Sequence, residues 1–84
     1  MASIQPMKLS AEVRIRAAGV RASVSTVEQA IDMIEKDLQP ELAQLPRWTF
    51  ARALLGEALK SGKSRDVKMA TRQLQQALRD EKWA

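Results

Sequence analysis

The sequence predicts an α+β fold, mostly helical, in which an N-terminal β-hairpin packs on three α-helices. Three observations carry that expectation. Apolar and polar residues alternate on both sides of Gly19 between Val13 and Val24, three later segments repeat apolar residues at helical spacing, and Pro40, Pro46 and Gly62 punctuate them. An all-α three-helix bundle is the alternative. Residues 1–10 read as a flexible leader and 11–84 as a single small domain, with the hairpin at 13–24 and helices at about 26–38, 47–61 and 65–81.

In the hairpin, Val13, Ile15 and Ala17 face one way, then Val20, Ala22 and Val24 after the Ala18-Gly19 turn, where glycine accepts positive φ. A lone hairpin is marginal in water, so its apolar face must lie on the helices. That leaves Arg14, Arg16 and Arg21 on the exposed face.

Ser25-Thr26-Val27-Glu28 has the form of a capping box that starts the first helix. Val27, Ala30, Ile31, Ile34 and Leu38 then form its buried stripe, and Pro40 ends it. Glu28, Asp32 and Glu35 share a solvent-facing flank, with Asp32 and Lys36 placed to pair. Leu42 and Leu45 tuck inward from the connection. In the second helix Trp48, Ala51, Leu55, Ala58 and Leu59 form one stripe, which Phe50 and Leu54 widen to half the circumference, as suits a central helix. Gly62 stops it, and Gly56 either allows a close approach or is simply tolerated, the second reading being favoured. Ser64 is placed to cap the third helix, with Asp66 in its first turn complementing the helix dipole. Val67, Ala70, Leu74, Ala77 and Leu78 face the core, while Arg65, Lys68, Arg72 and Arg79 line the opposite side with Met69 at the edge of that basic stripe.

The 84 residues are 45% apolar and 29% charged, the balance of a chain that folds. Neither Cys nor His occurs, which removes disulfides, thiolate nucleophiles, the usual neutral-pH general base and the ligands that zinc, copper and non-haem iron prefer. No enzyme activity, metal, cofactor or small-molecule substrate is expected. Gly19, Gly56 and Gly62 are isolated and match no phosphate-cradling loop. Glu28, Asp32 and Glu35 make a poor cation cage, because adjacent helical carboxylates lack the loop carbonyls and spacing of a calcium site.

The stretch Met1 to Ser10 lacks the apolar core of a signal peptide, and no segment is long and apolar enough to span a bilayer, so the expected location is cytoplasmic and no membrane partner is expected. Met7 is a second candidate start. The formal charge of +4 is unevenly spread. Lys8, Arg14, Arg16 and Arg21 outweigh Glu12; Glu28, Asp32, Glu35, Asp37 and Glu41 outweigh Lys36; Lys60, Lys63, Arg65, Lys68, Arg72 and Arg79 outweigh Asp66.

A helix-turn-helix reading of 47–80 draws on Ala58 and Gly62, but Lys63, Lys68 and Thr71 stand where that motif wants apolar residues. Trp48 belongs in the core. Trp83 is either a lid or an anchor for a partner, and Met33, Phe50 and Met69 lie off the main stripes, where they offer material for an interface. The expected function is a non-catalytic module that binds another protein or itself. The candidate contacts are Arg65, Lys68, Met69, Arg72, Arg79, Arg14, Arg16, Arg21 and Trp83. Nucleic-acid binding or regulation through the basic face is the alternative.

The order of elements, and the run of Trp48, Ala51, Ala58-Leu59 and Gly62, resembles a family of small alpha-proteobacterial proteins known as domain of unknown function 982. The resemblance covers Val13 to about Trp83. It implies a hairpin, a Ser-start helix, a connection and two further helices, and it carries no activity and no functional residues. The chain departs from that pattern in having Leu38-Gln39-Pro40 where a Trp-Pro pair usually closes the first helix, and in lacking a Phe in the third.

Overall fold

Two antiparallel strands open the fold in a computed structural model that describes residues 6–84. Strand β1 (Lys8–Arg14) pairs with β2 (Ser23–Thr26) in the register Lys8↔Thr26, Val13↔Val24 and Arg14↔Ser23. Helices follow: α1 (Val27–Asp32), continued by a π-helical turn over Met33–Asp37, a short α2 (Pro40–Ala43), then α3 (Pro46–Ser61) and α4 (Ser64–Asp80). This is the α+β, mostly helical architecture expected.

The hairpin is longer and looser than its alternation suggests. Strand β1 begins at Lys8, inside the stretch expected as leader, and buries Leu9 beside Val13 and Ile15. Residues 1–5 of that leader lie outside the described residues. Strand β1 advances further than β2 between the Lys8 and Val13 pairings, so it bulges and turns Ala11 outward. The connection closes through Ile15 N–H to Ala22 O at 2.8 Å and a turn from Ala17 to Val20, in which Gly19 has φ 81°. Ala22, expected inside, is exposed there.

Helix α1 starts one residue later than the capping box predicts. Thr26 is the cap, its hydroxyl accepting from Gln29 N–H at 3.0 Å, and the Gln29 side chain reaches back to Ser25 N–H at 2.8 Å. Glu28 is thereby free to accept from Met7 N–H. The π turn closes with Leu38 N–H on Met33 O at 3.3 Å. Helix α1 is flanked by β2 and α3, so Met33 is fully buried and is not available to the interface expected of it.

Helices α3 and α4 form an antiparallel pair joined by Gly62 and Lys63, with Gly62 left-handed at φ 67°. The pair is tied at both ends. Glu81 accepts from Trp48 Nε1 at 3.3 Å and pairs with Arg47 at 3.2 Å, while Ser61 and Asp66 hydrogen-bond beside the turn. Helices that lie alongside each other over their whole length are not the crossed pair of a helix-turn-helix. Ser64 does not cap α4: Lys63 occupies the cap position, and Ser61, bonded to both Lys63 N–H and Asp66, organises the turn. The core joins Trp48, Ala51, Leu55 and Ala58 of α3 to Val67, Ala70, Leu74, Ala77 and Leu78 of α4, roofed by the hairpin and α1. Thr71 is also buried. Its hydroxyl donates to Val67 O at 2.8 Å and accepts from Ser10 N–H at 3.2 Å, fastening β1 to α4.

Candidate functional site

Helix α4 aims one face into the core and, at about 100° per residue, gathers Arg65, Lys68, Arg72 and Arg79 into an arc of about 60° on the opposite side. All four are exposed, and among the described residues none enters an ion pair. Met69 stands between this stripe and α3, 52% exposed. Across the helix seam is Phe50, 54% exposed, as its place off the main stripe predicts, although the wide apolar arc of α3 pointed to a covering neighbour. Leu59, at 42%, departs from the predicted stripe. The reason is shared: α4 and α1 cover only the central strip of α3, and residues at the edges of the arc are left in water.

Phe50, Leu54 and Met69 line a groove of about 320 Å³ together with Arg72, Gln73 and Gln76. A second concavity of about 230 Å³ shares Leu54 and Met69 and ends at Glu57 and Asp66. The two make one trough along the α3–α4 seam, apolar in its floor, with Arg72 and the glutamines at one end and carboxylates at the other. Leu54, Gln73, Gln76, Glu57 and Asp66 are not among the candidate contacts read from the sequence. Their signal is the repetition of Phe50 and Leu54, and of Met69, Gln73 and Gln76, at steps of three and four beside the core stripes.

The hairpin arginines divide. Arg14 and Arg16 are exposed, and Arg14 lines a depression of about 170 Å³ with Arg79 and Gln75, so the hairpin face and the α4 stripe run together at that end of the molecule. Arg21 departs from the expectation. Its Nε donates to Asp37 at 2.6 Å, its Nη2 to Asp32 at 3.0 Å and to Asp37 at 3.1 Å, and its backbone N–H also donates to Asp37. This clamp holds the Arg21 guanidinium above its ordinary range, chiefly through Asp37 and then Asp32. Asp37 is held below the usual carboxylate range by the Arg21 side chain and N–H, and Asp32 by Lys36 first and Arg21 second. Arg21 is therefore a structural residue, joining the hairpin loop to the π turn. On the acidic flank Asp32 pairs with Lys36 at 3.0 Å as its spacing predicts, whereas Glu35, expected in solvent, pairs with Arg52 of α3.

Trp83 also turns inward. Its ring centroid lies 6.1 Å from that of Trp48, and its carbonyl accepts from Arg16 N–H at 2.6 Å, so it is a lid on the core and no free anchor. What remains open to a partner is the trough and the basic stripe beside it. Among the described residues no helix is long and apolar enough to cross a membrane. No protein-family model, curated protein or solved structure matches the chain.

Proposed function

We propose that this chain is a non-catalytic module that binds a protein, with the α3–α4 trough as its docking surface. The observation that carries the reading is the meeting of Phe50, Leu54 and Met69 in one concavity next to cations that have no ion-pair partner among the described residues. Exposed apolar groups gathered in one groove and rimmed by charge are the pattern of an interface, whereas singly scattered ones are ordinary surface. The absence of His and Cys supports a role without chemistry, and a cytoplasmic setting belongs to the same proposal. The resemblance carried by Trp48, Ala51, Ala58-Leu59 and Gly62 bears on the fold alone.

The test places a photo-crosslinking phenylalanine analogue at Phe50 or, as control, at exposed Glu41 in the host cell. Protein adducts at 50 that are absent at 41 support the reading. Equal labelling at both positions, or none, overturns it.

A second reading, nucleic-acid binding, is favoured by the joining of Arg14 to Arg79 at the end of the α4 stripe. On that reading affinity for random duplex falls steeply with salt, and replacing Lys68 and Arg72 with Ala lowers the log–log slope by about two. Absence of binding at low salt ends it.

A further inference from the structure

We infer that the partner in the trough is a second copy of this chain, docked with the two α4 helices antiparallel about a two-fold axis passing beside Met69. The inference rests on the trough being a protein-docking surface. A two-fold interface needs a patch complementary to itself, so that what one end offers the other accepts. The trough has that property. Asp66 and Arg72 stand three residues before and three after Met69 on α4, and each lines one end of the trough. A dyad at Met69 brings Asp66 of each copy level along α4 with Arg72 of the other, on the opposite flank of the seam, where the long arginine side chain reaches across to make two identical ion pairs. Between them the apolar floor closes on itself, Met69 and Leu54 near the axis and Phe50 to either side. Methionine suits a place on a symmetry axis, where its unbranched thioether must adjust to an identical side chain.

Charge selects this arrangement over the parallel one, in which Arg72 would meet Arg72 and Asp66 would meet Asp66. Lys68 and Arg79 lie further round α4, towards the β1 side, and stay in solvent at the rim. The face of two helices about 25 Å long and about 20 Å across offers about 500 Å², short of the roughly 800 Å² per partner of a standard interface, so the dimer is weak and reversible.

Sedimentation equilibrium of the full chain over a wide concentration range tests the proposal, with circular dichroism confirming that each variant folds. The expected result is a reversible dimer. Its dissociation constant rises at least tenfold in Met69→Glu, Asp66→Arg and Arg72→Asp, and returns towards the starting value in the Asp66→Arg, Arg72→Asp double variant. Met69 is exposed, so its variant reads the interface even if the charge reversal at Asp66 disturbs the α3–α4 turn. A chain that stays monomeric, a dimer indifferent to Met69→Glu, or a double variant no better than the single ones overturns the proposal. A monomer that still yields adducts to other proteins from position 50 leaves the docking surface standing and removes only the second copy. A monomer with no adducts removes both.

Discussion

The indole of Trp83 lies against that of Trp48, ring centroids 6.1 Å apart and planes tilted by 37°, so the last turn of the chain walls the same core that the start of α3 fills. Trp48 is fully buried while Trp83 is half-buried, and the Trp83 carbonyl also holds Arg16 N–H of the hairpin loop. Trp83→Ala removes the indole lid and leaves the backbone carbonyl that Arg16 N–H reaches. The expected loss is about 2 kcal/mol, below the roughly 3–5 kcal/mol of a fully buried aromatic. Urea unfolding measures it, and Trp48 emission shifts to the red as water reaches the indole.

The lid depends on one backbone position. Helix α4 ends with Trp83 N–H on Leu78 O at 2.8 Å and Lys82 N–H on Arg79 O at 2.9 Å, and Lys82 has φ 62°. These two bonds are a Schellman closure, whose left-handed residue is usually glycine. A lysine there carries the steric cost of its Cβ. Lys82→Gly should raise stability by about 0.5–1 kcal/mol, whereas Gly62→Ala, at the same kind of position after α3, should lower it by about 1 kcal/mol. Thermal melts of the two variants moving in the same direction would count against this account.

The Arg21 clamp makes stability depend on acid. Asp37 and Asp32 titrate below their ordinary value in the folded chain, so the folded state binds fewer protons than the unfolded one in that window. Their contribution is complete above about pH 4, the unfolded carboxylate value, and is lost as pH falls through the depressed folded values. Arg21→Ala should cost about 1 kcal/mol at neutral pH, since the partners are partly exposed and screened. It should also shrink the difference between unfolding free energies at pH 6 and pH 3. An unchanged acid slope in the variant would refute the clamp.

Helix placement was legible in the sequence because each helix carries its own periodicity and its own breakers. Val67, Ala70, Leu74, Ala77 and Leu78 all go where the wheel puts them. The misses at Arg21 and Thr71 share a cause: they depend on groups distant in the chain. Arg21 finds Asp32 and Asp37 only because a loop folds back over the π turn, and Thr71 is buried because a strand edge from Ser10 needs its hydroxyl. Phe50 was half legible. Its apolar character was plain, but whether an edge residue is covered depends on how wide the neighbouring helices are. Of the candidate site, the α4 stripe and Met69 could be read directly, while the trough that makes them meaningful needed both helices at once.

The α4 stripe offers a way to separate folding from binding. Arg65, Lys68 and Arg72 are spaced three and four apart, so like charges neighbour one another without an opposing carboxylate between them. Pairs of that kind destabilise a helix by about 0.2–0.5 kcal/mol each. Lys68→Glu replaces two repulsions with two attractions, including a Glu four residues ahead of Arg72, which is the favoured orientation. It should raise the unfolding free energy by about 0.5 kcal/mol, measured by urea titration at low ionic strength, with the gain disappearing in high salt. The same change lies at the rim of the trough and not in its floor, so it should leave self-association within about threefold while abolishing any salt-dependent affinity for duplex nucleic acid. A variant that lost stability would mean that Lys68 has a folded-state partner, and one that gained stability yet kept its nucleic-acid affinity would mean that the stripe is not where phosphates are held.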